Sequence, residues 1–202
     1  LWEIDLVQET DVLPVTPDLS PVVQEIVNRN GWVSGNAITF IIDKIAGSGF
    51  RYARSFDGYN PSAALFLVEY NDGSGVKTIE TRIKKATDDG ECATAIPFST
   101  STQKLTIGSC GVALRFEGLT IPKNSTITNA WMQFVPYQTL SDPITVKVSA
   151  HASDNSPTFS TAVTPQLMVS QRPRTTANAT WNVEAWTGVT IETKIDVAKT
   201  VI

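Results

Sequence analysis

The chain has 202 residues, of which 42% are hydrophobic and 18% charged, enough apolar material to bury the core of one large β-domain or two small ones and too much for general disorder. A net charge of -4 with a pI near 5.0 supplies no basic stripe for a polyanion, so nucleic acid is excluded as an expected partner. No apolar run approaches the ~20 residues needed to cross a bilayer and no leader peptide is recognisable, so a processed or excised portion of a secreted protein with no membrane partner is expected.

Leu1-Trp2-Glu3-Ile4-Asp5-Leu6-Val7 alternates apolar with acidic residues, as a strand does when it has one face to cover. From Pro17 to Asn30 the pattern changes: Leu19, Val22, Val23, Ile26 and Val27 recur at helical spacing. Thr16 or Ser20 can cap this helix with a proline behind it, and Gly31 is read as its left-handed stop.

Strands follow. Residues 37–42 form a near-continuous apolar run, as does 64–70, which suits strands buried on both faces, while 50–56 alternates. Gly47-Ser48-Gly49 lacks the context of a phosphate loop and reads as a hairpin turn. Asn71-Asp72-Gly73-Ser74-Gly75 contains only turn formers and is read as a linker between residues 1–70 and 76–202. Beyond it, 76–85, 104–107, 112–116, 127–136 and 144–153 read as further strands, and 190–197 alternates as 1–7 does. The expected fold is an all-β, jelly-roll-like antiparallel sandwich with one short α-helix.

The two cysteines, Cys92 and Cys110, sit at strand edges in a Ser- and Thr-rich chain, which points to a disulfide in an oxidising compartment contributing about 3 kcal/mol; two inert core thiols are the alternative. No Cys/His cluster has zinc spacing. The single histidine, His151, has no nucleophile elbow near it in sequence and is read as structural or surface, so no catalytic residue is assigned. Asp88, Asp89 and Asp154 lie in oxygen-rich turns that are weak calcium candidates, with solvated turns as the alternative. Of five tryptophans, Trp181 and Trp186 lie outside the regular strand pattern and are the candidates for stacking on sugar rings, while Trp32 and Trp131 read as packing.

Two stretches carry a family likeness. Val112-Ala113-Leu114-Arg115-Phe116 through Ile121-Pro122, with Ser125-Thr126-Ile127 and Ala130-Trp131-Met132-Gln133-Phe134, resembles the opening of jelly-roll-like repeat modules found in large secreted bacterial proteins. Thr16 to Trp32 followed by Ser34-Gly35-Asn36-Ala37, and Leu67-Val68-Glu69-Tyr70, resemble the closing part of the same module. The resemblance implies a displaced frame in which residues 1–70 close a module and 76–202 open one. The two halves would then complete a sandwich within one chain or between neighbouring chains.

On this reading the chain is a structural subunit of an extracellular fibre or repeat array, assembling head-to-tail with identical subunits by strand sharing. Leu1, Trp2, Ile4, Leu6, Ile191, Ile195 and Val197 would be the contact residues. The alternative is a carbohydrate-binding module for an acidic polysaccharide, the ligand class that related modules of this architecture take, using Trp181 and Trp186. No cofactor is expected unless calcium serves.

Overall fold

A computed structural model describes residues 13–93, 96–109, 111–159 and 171–188. Two helices and eleven strands are built in chain order: α1 (Ser20–Val27), β1 (Ile38–Gly47), β2 (Arg51–Arg54), α2 (Phe56–Tyr59), β3 (Leu65–Asn71), β4 (Val76–Arg82), β5 (Asp89–Ala93), β6 (Ile96–Ser99), β7 (Lys104–Ile107), β8 (Gly111–Phe116), β9 (Thr126–Gln133), β10 (Ile144–Ala150) and β11 (Ala179–Val183). The all-β expectation holds, with strands in antiparallel pairs throughout.

A larger sheet runs in the order β11-β10-β1-β8-β5-β6, a smaller one in the order β4-β3-β9, and β2 pairs with β7. The near-continuous apolar run Ile38–Ile42 becomes the strand between β8 and β10, with all five residues buried. Phe40 of β1, Phe66 of β3 and Phe116 of β8 meet between the two sheets, with ring centroids 5.0 to 6.1 Å apart. Edge-to-face and tilted packing of this kind adds to the area buried.

α1 lays Val22, Val23, Ile26 and Val27 against the core and packs on β9. Its start differs from expectation: the N-cap is Leu19, without a side-chain bond, and Asp18 Oδ1 instead accepts from the Ser20 amide at 2.8 Å. The helix ends at Asn28 in the right-handed region, so Gly31 is not its left-handed stop. A Cβ at Gly31 would fall 2.2 Å from Asp154 Oδ2, and a close approach of side chain to backbone is what the glycine serves.

Residues 71–75 are not a seam between separately packed halves. They turn β3 directly into β4, with Val68 opposite Ile79 and Asn71 opposite Val76. Gly73 and Gly75 take positive φ, and the Asn71 and Asp72 side chains accept from the Gly73 and Ser74 amides, which closes the turn locally. Strands from before and after this turn interleave in both sheets. Gly47-Ser48-Gly49 is likewise not a hairpin, since β1 and β2 belong to different sheets. It carries the chain across, and Gly47, at φ +86, stands where a Cβ would lie 2.3 Å from the Pro143 carbonyl.

Both ends of the described chain meet one connection. Phe134 donates its amide to Pro14 O at 3.0 Å, while Leu140 and Trp186 exchange both backbone hydrogen bonds and Gly188 N donates to Thr139 Oγ1 at 3.0 Å.

Candidate functional site

The small sheet offers two different edges. Along β9, residues 14–19 run as a partial extra strand: Val15 bridges Gln133, Thr16 N donates to Met132 O, Leu19 N donates to Ala130 O, and Met132 N donates to Thr16 Oγ1 at 3.0 Å. Asp18 Oδ1 also accepts from Ala130 N at 3.1 Å, so that edge is satisfied by backbone and side chain together. Along β4 no described residue pairs on the outer side. Its seven residues include Val76, 67% exposed, with Lys77, Thr78 and Glu80 also exposed, while Ile79 turns inward against the core. An uncovered strand edge presents a row of unpaired amides and carbonyls and is a template for another strand. At the turn below it, Lys77 Nζ and Asp72 Oδ2 pair at 2.5 Å, holding Asp72 below the ordinary carboxylate range.

Exposed aromatic rings gather elsewhere, on β2 and the connection after β9. Phe50, Tyr52 and Tyr137 lie together, with Phe50 and Tyr52 ring centroids 4.9 Å apart and Phe50 and Tyr137 each 37% exposed. Lys104 Nζ stands 3.5 Å from the Tyr52 centroid and 5.4 Å from that of Tyr137, and the Arg54 guanidinium lies 5.0 Å from Tyr137. Register places them: Tyr52 N–C backbone is flanked by β7 on one side and by Tyr137, whose amide donates to Tyr52 O at 2.7 Å, on the other. The Lys104 ammonium, held over two tyrosine rings, is an anion-attracting feature.

Trp181 and Trp186 do not form a surface platform, which corrects the sugar-stacking assignment. They are 4% and 2% exposed and pack with Phe134 in the core, centroids 5.8 to 6.2 Å apart. The reason is the alternation Ala179-Thr180-Trp181-Asn182-Val183, which forms β11 and turns Trp181 and Val183 inward. Arg51 locks this region: buried to 1% exposure, it donates to the carbonyls of Phe50, Asp142, Val183 and Glu184.

The calcium candidates do not converge. Asp88 is fully buried and pairs with Arg115 at 2.8 Å, Asp154 pairs with Arg29 at 2.6 Å, and Asp89 accepts from the Phe56 amide at 2.8 Å. Each is engaged within the fold, and among the described residues no group of three His, Cys, Asp or Glu is arranged to hold a metal. Burial, opposed by the Phe56 hydrogen bond, raises the Asp89 carboxyl to about 7.

His151 sits in a polar knot on the outer face of the large sheet. Its Nδ1 is 2.8 Å from Ser156 Oγ, which contacts Thr39 Oγ1 at 2.7 Å and accepts from Arg172 at 3.0 Å. Ser156 is 1% exposed and His151 is half-buried. Burial, with Arg172, Arg174 and Arg29 nearby, lowers the histidine to about 4. Arg172, lowered to about 10 by burial and by Arg115 and Arg174, stacks 4.7 Å from the Phe159 ring. The knot joins β1, β10 and residues 172–174, and its chemistry is that of a structural clamp.

Cys92 is disulfide-bonded, while Cys110 lies outside the described residues. Leu1, Trp2, Ile4, Leu6, Ile191, Ile195 and Val197 also lie outside them. Comparison with protein-family profiles, with curated proteins and with solved structures finds no significant match to this chain.

Proposed function

We propose that this chain is a structural subunit of an extracellular fibre or repeat array, joining identical copies head-to-tail by strand sharing. The observation that carries the reading is the asymmetry of the small sheet: residues 14–19 cover β9, while no described residue pairs with the outer edge of β4 over its seven residues. A strand from a neighbouring copy would satisfy that edge with backbone hydrogen bonds. Donors are available in sequence, since 1–7 and 190–197 both alternate apolar with polar residues. Residues 14–16 lie on β9 of their own chain, so of the donor segments 1–16 and 187–202 the parts available for sharing fall outside the described residues. A donor on one segment and an acceptor on another make a heterologous contact, which propagates into rings or filaments. The disulfide at Cys92 supports an oxidising, extracellular setting.

Negative-stain electron microscopy of native material tests the reading. Uniform filaments or rings support it, and discrete single particles at every concentration overturn it. Deletion of residues 1–12 or 189–202 should abolish the polymer while leaving a folded monomer.

A second reading, recognition of an acidic polysaccharide, is favoured by the Phe50, Tyr52, Tyr137 and Lys104 patch. Aromatic faces there would take sugar rings and Lys104 a carboxylate. Binding to a uronate polymer that is lost in Tyr137→Ala and Lys104→Ala, at unchanged stability, supports it; binding that survives both changes sinks it.

A further inference from the structure

The β4 sequence Thr78-Ile79-Glu80-Thr81-Arg82-Ile83 recurs as Thr190-Ile191-Glu192-Thr193-Lys194-Ile195, identical at five of six positions and basic at the other. The second copy lies outside the described residues. In β4 this pattern makes an edge strand with two distinct faces. Ile79 and Ile83 turn to the core, opposite or beside β3, while Thr78 and Glu80 face outward.

Antiparallel strands place residues directly opposite one another on the same face, and opposite charges there are favourable. One register sets Ile79 against Ile195, Thr81 against Thr193 and Ile83 against Ile191 on the core side. The same register sets Glu80 against Lys194 and Arg82 against Glu192 on the outer side. Every position from Ile79 to Ile83 is matched in polarity, and both charged pairs are complementary. A second β4 laid on the edge in the equivalent register would oppose Lys77 with Lys85. In the later segment Val197 stands where β4 is followed by Lys85, and the repulsion disappears.

Building on the strand-sharing reading, we infer that residues 190–197 of a neighbouring copy dock antiparallel on the free edge of β4 in this register. Ile191, Ile195 and Val197 extend the apolar face of the small sheet, and Lys194 and Glu192 fix the register from outside. The chain's own segment is poorly placed for the role. Gly188 is held at Thr139, on the connection between β9 and β10, whereas β4 forms the opposite edge of the small sheet from β9.

Charge exchange tests the register. Glu80→Lys and Lys194→Glu each place like charges opposite one another and should raise the concentration needed for assembly by about tenfold. The chain carrying both changes should assemble as the parent does. Glu80 is exposed, so its change does not threaten the fold, and thermal melts of each variant check that the folded chain is retained. In parallel, chains carrying Thr81→Cys are mixed with chains carrying Thr193→Cys, and a covalent dimer is expected on oxidation. Polymers that ignore the charge changes and give no dimer overturn the inference while leaving strand sharing intact. Discrete particles from the parent chain overturn both. A chain carrying both cysteines that closes on itself at high dilution, with no dimer from the mixture, assigns the edge to its own segment and also overturns the inference.

Discussion

The two outer strands of the small sheet end in opposite conditions. β9 is met by residues 14–19, which supply backbone hydrogen bonds, the Thr16 hydroxyl, the Asp18 carboxylate and the buried side chain of Leu19. β4 is met by none of the described residues, and its outer positions are wet. The difference shows that the fold can cover an edge with its own chain where closure requires it. Among the described residues the seven-residue edge of β4 is left unpaired in the same sheet, the condition in which a strand edge templates another strand.

Changes made away from both edges set the scale for this comparison. Asp89 lies in the large sheet, and its folded carboxyl, raised to about 7 from an ordinary value near 3.9, favours the protonated form in the native state. Its contribution is present below about pH 4 and is lost as pH rises through about 7, a span worth on the order of 4 kcal/mol. His151 runs the other way: lowered to about 4, it contributes stability above about pH 6.5 that is lost as pH falls through about 4. Denaturant melts of Asp89→Asn should therefore lose the decline toward neutral pH and retain the rise from acid pH, with neither edge affected.

Within the comparison itself, Leu19→Ala removes a fully buried side chain from the cover of β9 and should cost about 3 kcal/mol, measured by urea unfolding. Thr16→Ala leaves the Met132 amide without its hydroxyl partner and should cost about 1 kcal/mol, with faster amide exchange confined to β9. Glu80→Ala, on the bare edge, should change monomer stability by less than about 0.5 kcal/mol. If it destabilises the monomer as much as Thr16→Ala does, β4 is not a free edge and the contrast between the two strands fails.

Much of the fold could be read from residue patterns because the patterns had one structural solution. Ile38 to Ile42, apolar at nearly every position, fits only a strand covered on both faces, and it lies between β8 and β10. Other segments had two solutions. Asn71 to Gly75 has the composition of a linker and of a tight turn alike; what decides is the match of Val68 to Ile79 across it, a tertiary fact. Asp88-Asp89-Gly90-Glu91 reads as a turn because Asp and Gly disfavour strands. It becomes β5 because Asp89 caps Phe56 and because Gly90 leaves room for the Phe98 ring, which a Cβ would approach to 2.5 Å. Ala179 to Val183 did alternate, and that period-two signal would have placed Trp181 inward. The Tyr52, Tyr137 and Lys104 cluster carried no sequence signal, since residues so far apart meet only through the pairing of β2 with β7 and with the chain after β9.

The meeting of both described ends on residues 134–140 also couples those two points mechanically. Pro14 and Gly188 hold the same connection through the bonds of Phe134, Thr139 and Leu140. A strain applied at one of these points reaches the other across a few residues of backbone, without crossing the Phe40, Phe66 and Phe116 core.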